Sequence, residues 1–119
     1  MAAFKVPLKI DQGATFRKSA TWKVGPAPGT AVDLTGCTAR MHIRSDVKSP
    51  LVLATLTTAN GGITLGGVAG TVEIYISDEA TTLFAWTTGV YDLEVEFANG
   101  DVRRLMYGSV TVSPEVTRG

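Results

Sequence analysis

Apolar and polar residues alternate with a period of two along most of this chain, the pattern of β-strands that bury one face and show the other to solvent. Phe4, Val6, Leu8 and Ile10 share one side of the first such stretch, against Ala3, Lys5, Pro7 and Lys9. Pro7 has no N–H for a ladder, so this strand belongs at a sheet edge or breaks in two. Beyond Gly13, Phe16, Ala20, Trp22 and Val24 alternate with Arg17, Ser19, Thr21 and Lys23, leaving Lys18 as a misfit on the apolar side. Cys37, Ala39, Met41 and Ile43 oppose Thr38, Arg40, His42 and Arg44; Val72, Ile74 and Ile76 oppose Thr71, Glu73 and Tyr75. Tyr91, Leu93, Val95 and Phe97 alternate with Asp92, Glu94 and Glu96, and Asn99-Gly100 then supplies a tight hairpin turn. In the returning strand, 102–112, the apolar phase shifts near Gly108, from Leu105 and Tyr107 to Val110 and Val112, as a bulge would shift it.

The segments between are punctuated for turns. Gly25-Pro26-Ala27-Pro28-Gly29 suits neither a helix nor an inner strand and reads as a long exposed connection. Residues 45–50 form a turn before the apolar stretch 51–56, and the glycine-rich segment 60–70 carries a short strand at Ile63 and Leu65. Ser77-Asp78-Glu79 provides a cap and early acidic residues for at most one short helix near 78–84. About seven strands in 119 residues, with turn signals between them, predict an all-β fold: an antiparallel immunoglobulin-like β-sandwich, one domain over 1–119. The expected core is Phe16, Trp22, Met41, Ile43, Val72, Ile74, Tyr91, Leu93, Val95 and Leu105, together with Cys37.

Charge narrows the function. Eleven Lys and Arg balance eleven Asp and Glu, so the excess positive charge used in nonspecific nucleic-acid binding is missing. Residues 1–50 carry eight basic and three acidic side chains, net +5, and residues 51–119 the reverse, net −5. Such an asymmetry pairs strands within a sheet or orients neighbouring copies. Apolar runs fall far short of the roughly 20 residues that span a bilayer, and Lys5 and Lys9 interrupt the start where a secretory signal would be apolar. Neither a nucleic acid nor a membrane is expected as a partner. The single Cys37 excludes an intrachain disulfide and a multi-cysteine zinc site.

Candidate chemistry is sparse. Cys37 and His42, the one conceivable nucleophile and base, lie five residues apart on a strand, on opposite faces and about 16 Å along it. Asp92, Glu94 and Glu96 share a face, as a glycosidase pair or cation site requires, but equally as the solvent face of an amphipathic strand does. The segment from Asn60 to Gly70 lacks the Lys-Ser/Thr pair of a phosphate-cradling loop. Trp22 falls on a core face, and Trp86 suits either core or a stacking platform for a sugar. No catalytic, metal-binding or cofactor-binding residue is expected. In an immunoglobulin-like arrangement, strand 37–44 neighbours strand 89–97. Arg40, His42 and Arg44 then face Asp92, Glu94 and Glu96 as a charge ladder, with Arg103 or Arg104 flanking the acidic row from its other side. With this stripe, the loop residues Pro26, Pro28, Gly61, Gly62, Gly66 and Gly67 complete the candidate interface.

Several segments, taken in order, resemble a family of small β-sandwich proteins encoded among the virion structural genes of tailed bacteriophages. These are Gly13-Ala14-Thr15-Phe16 leading to Trp22, Asp33-Leu34-Thr35-Gly36 before Met41-His42-Ile43-Arg44, Gly62-Ile63-Thr64-Leu65, Gly89 to Val95, and Gly108 to Arg118. The order is also similar to that of the N-terminal domain of phage baseplate upper proteins. The resemblance implies a non-enzymatic virion structural protein, assembled in the host bacterial cytoplasm and oligomeric in the particle. Its partners would be other virion proteins: an adaptor in the tail, neck or baseplate that attaches a fibre or spike. A capsid decoration (cement) protein and a carbohydrate-binding module are the alternatives.

Overall fold

In the computed structural model, which describes residues 3–117, the alternating segments pair into two sheets and a small hairpin. Pro7 splits the first stretch into β1 (Phe4–Lys5) and β2 (Leu8–Asp11). Both run parallel to the last strand, β11 (Val102–Ser113), at one edge of the larger sheet. That sheet continues antiparallel through β10 (Thr88–Glu96) and β6 (Thr38–Arg44) to β7 (Val52–Thr57) at the other edge. The smaller sheet orders β3 (Phe16–Thr21), β9 (Thr71–Ile76) and β8 (Ile63–Leu65). With the larger sheet laid over it, this is an immunoglobulin-like sandwich. Short pieces raise the tally of strands above the expected seven.

The inward rows meet in one core, with Trp22, Met41, Ile43, Val72, Ile74, Tyr91, Leu93, Val95 and Leu105 all buried as their alternation requires. Two expected members differ. Phe16 and Cys37 are half-buried and pack on the core's margin, because Phe16 opens an edge strand and Cys37 sits in the turn before β6.

The phase shift in β11 lies three residues earlier than expected. Leu93 pairs with Met106 and Glu94 with Arg104, so Leu105 is the extra residue, and Leu105 and Met106 are both buried. Gly108 has a different reason for being glycine. It faces the β1–β2 connection so closely that a Cβ would lie 2.7 Å from the Val6 carbonyl oxygen.

The expected helix is α1 (Asp78–Thr82), capped by the Ser77 hydroxyl, which accepts from Ala80 N–H. Thr81 anchors it. Fully buried, its hydroxyl accepts from Gly13 N–H at 3.0 Å and donates to the Ala14 carbonyl at 2.9 Å.

The Pro-rich connection and the glycine-rich segment both carry hydrogen bonds. β4 (Lys23–Val24) and β5 (Thr30–Ala31) make the Pro-rich connection a hairpin, closed by Gly29 N–H on the Pro26 carbonyl. In the glycine-rich segment, β8 is followed by a 3-10 turn, Gly67–Ala69, whose Gly67 carbonyl accepts from Leu34 N–H. This turn is a second helical piece beyond the single one predicted.

Candidate interaction face

The outward side chains of the larger sheet follow from its register, which sets them in rows across the strands. One row runs Arg104, Glu94, Arg40, Thr57; the next Lys5, Tyr107, Asp92, His42, Thr55; the third Ser109, Val90, Arg44, Val52. The expected neighbours are therefore neighbours, with β6 and β10 antiparallel and Arg40 opposite Glu94.

The ladder is only partly one of ion pairs. Arg40 serves two carboxylates, donating from Nε to Glu94 at 3.1 Å and lying 3.6 Å from Glu96. His42 stands opposite Asp92, whereas Arg44 stands opposite Val90 and finds no carboxylate there. It turns instead to the β6–β7 connection, donating to the Ser49 carbonyl at 3.0 Å, with a second nitrogen 3.3 Å from His42 Nδ1. A guanidinium only donates, so Nδ1 accepts and the imidazole proton of this arrangement sits on Nε2.

Of the two candidate arginines on β11, Arg104 takes the place opposite Glu94, and Arg103 goes to the other face opposite Val95. The bulge is the cause. A regular strand would have set Arg103 against Glu96; the extra residue at Leu105 moves every position beyond it by one. Arg103 instead lines a shallow pocket with Val32, Phe97 and Asp101.

The loop candidates divide. Pro26, Pro28, Gly61 and Gly66 are exposed and Gly67 half-exposed, but Gly62 is buried, where a Cβ would press within 2.7 Å of the Leu56 side chain. Asn60 builds that turn, its Oδ1 accepting from Thr57 and Gly62 N–H. Asp33 builds another at the start of the β6 segment, accepting from the Thr35 hydroxyl and N–H, and these bonds hold its carboxyl below the usual range.

The residues weighed for chemistry are apart or occupied. Cys37 packs toward the core and His42 outward, and burial, with the Asp33 carboxylate nearby, pushes the thiol pKa up. Trp22 is buried against Phe97; Trp86 is half-buried and stacks on Phe84, ring centres 4.9 Å apart. Both tyrosines on outward rows carry a guanidinium over the ring: Arg17 over Tyr75 at 4.5 Å and Arg104 over Tyr107 at 4.4 Å.

What the sequence left unseen is a groove of about 450 Å³ across the second and third rows. Its floor is low because Val90 and Ser109 are short; Lys5, Tyr107 and Arg104 rise on one side, and His42, Arg44 and Val47 on the other. Lys5 arrives only through the parallel pairing of β1 with β11, a contact spanning nearly the whole chain. No strand-by-strand pattern carries that signal.

No protein-family model matches the chain, and no curated protein matches it in sequence.

Proposed function

We propose that this chain is a non-enzymatic structural protein of a tailed-bacteriophage virion: an adaptor in the tail, neck or baseplate that attaches a fibre or spike to the tail. The observation that carries the reading is the placement of the segments that resemble that family. They occupy, in order, the Gly13 turn and β3, the Asp33–Thr35 turn and β6, β8, β10, and the end of β11 with the residues after it, Arg118 lying outside the described residues. Those are the turns and strands that set up one sandwich, so the resemblance follows the architecture rather than scattered short matches. An adaptor also needs two presenting surfaces. The outward face of the larger sheet and the exposed tips of the Pro26–Pro28 hairpin and the Gly66 turn supply them, on different parts of the molecule.

Quantitative mass spectrometry of purified virions from the phage encoding the chain tests the proposal. An adaptor is present in the low copy number of a tail ring. Copies in proportion to the capsid subunits would make it a decoration protein, and its absence from purified particles would overturn the virion reading altogether.

A further inference from the structure

We propose that the groove across the larger sheet binds an acidic polypeptide segment, seating an Asp or Glu carboxylate between Arg44 and the Lys5–Arg104 wall. The inference deepens the adaptor reading by naming a partner chemistry, and its test on isolated protein can fail without bearing on particle composition.

Among the described residues, Lys5, Asp92 and Arg104 around this groove form no ion pair, whereas Arg40 meets two carboxylates. Among the described residues, the Lys5 and Asp92 side chains make no hydrogen bond or ion pair, and the Arg104 side chain makes only its stacking contact with Tyr107. Tyr107 stands between Lys5 and Asp92 in the row, so that their backbones are two strand spacings apart, about 10 Å. They form no ion pair across it. Arg44 keeps donors beyond the one given to Ser49, and its hold on that carbonyl and on His42 fixes the guanidinium at the rim. Three cations against one carboxylate leave the lining net positive, and forked guanidinium donors suit a carboxylate.

The same residues decide among anions. A sugar acid would want a bare aromatic face for its ring, and the Tyr107 face is covered by Arg104. A polyphosphate or nucleic acid would bring closely spaced negative charge onto Asp92. A polypeptide meets both signs: one acidic side chain for the cations, with a neighbouring hydroxyl or amine for Asp92.

The probe is the capped peptide acetyl-Glu-Ser-Glu-Ser-Glu-amide, titrated into the isotope-labelled protein and followed by amide NMR shifts. Saturable shifts are expected at Arg44, Val90 and Tyr107–Ser109, weakening with salt. Arg44→Gln and Arg104→Gln should each weaken binding by about two- to fivefold, and Asp92→Asn should strengthen it by a similar factor. The gain from Asp92→Asn is a result that misfolding would not produce. Shifts that do not saturate or that map elsewhere would overturn the proposal, as would arginine variants binding like the parent or a weaker Asp92→Asn. Glucuronate or inorganic phosphate shifting the same amides as strongly would replace the peptide with a sugar acid or a free anion. The same shifts produced by raising protein concentration alone would replace it with a second copy.

Discussion

Tyr91 faces the core from β10, and its hydroxyl reaches across the sheet to donate to the Val6 carbonyl at 2.5 Å. Burial pushes its pKa up from 10.0 to about 12. The folded chain therefore holds the phenolic proton more tightly than the unfolded one. This contribution to stability is fully present below about pH 10 and is lost as the pH rises through about 12, up to about 2–3 kcal/mol in all. Denaturant unfolding at pH 8 and above pH 11 should show that fall, and Tyr91→Phe should show a smaller one after costing about 1 kcal/mol at neutral pH. Cys37 offers a second check, because its thiol pKa is raised by burial and by Asp33. Iodoacetamide should alkylate it slowly in the folded protein at neutral pH and much faster in urea, since the thiolate is the reactive form. An equal rate in both would contradict its placement against the core. Lys18, the misfit of the alternation, is explained by position: β3 is an edge strand, and a lysine there discourages pairing with another chain.

At the scale of elements, alternation was a sufficient guide wherever a strand is regular. Residues 38–44, 71–76 and 88–96 bury and expose their side chains in strict turn, and the core assignments on them hold. It failed where the backbone departs from period two or where contact is distant. The Leu105 bulge exchanged the roles of Arg103 and Arg104, and no composition signal fixes its place, since Leu105 and Met106 are both apolar. The groove was illegible for the second reason, because it needs Lys5 beside Tyr107. The Thr81 anchor likewise joins α1 to a turn 67 residues away. What the sequence pattern did reach is the pairing of β6 with β10, and its energetics are testable. The Arg40, Glu94 and Glu96 side chains are 49%, 37% and 47% exposed, so solvent screens the pairs strongly. A double-mutant cycle on Arg40 and Glu94 should return a coupling of about 0.2–1 kcal/mol, and Glu94→Lys should destabilise the monomer by a similar modest amount. A coupling of zero would leave the pair as register-setting only, and a loss of several kcal/mol would mean that the face is not solvated.

The whole molecule resolves the charge asymmetry of the sequence. Basic residues of the first half sit on β3 and β6, acidic residues of the second half on β9 and β10, and the fold lays these strands side by side. Arg17 meets Glu73 across the smaller sheet, and Arg40 meets Glu94 and Glu96 across the larger. Opposite charges from the two halves thus meet within one copy at Arg17 and Arg40, while Lys5, Arg44, Asp92 and Arg104 line the groove without an ion pair among the described residues. The proposed virion adaptor would turn the outward face of its larger sheet to a partner. Electron cryo-microscopy of the intact particle tests it most directly. Density for this sandwich is expected in the tail, neck or baseplate, with a neighbouring chain against Arg44, Asp92 and Arg104. A particle without the sandwich, or one in which that face lies open to solvent in every copy, would contradict it.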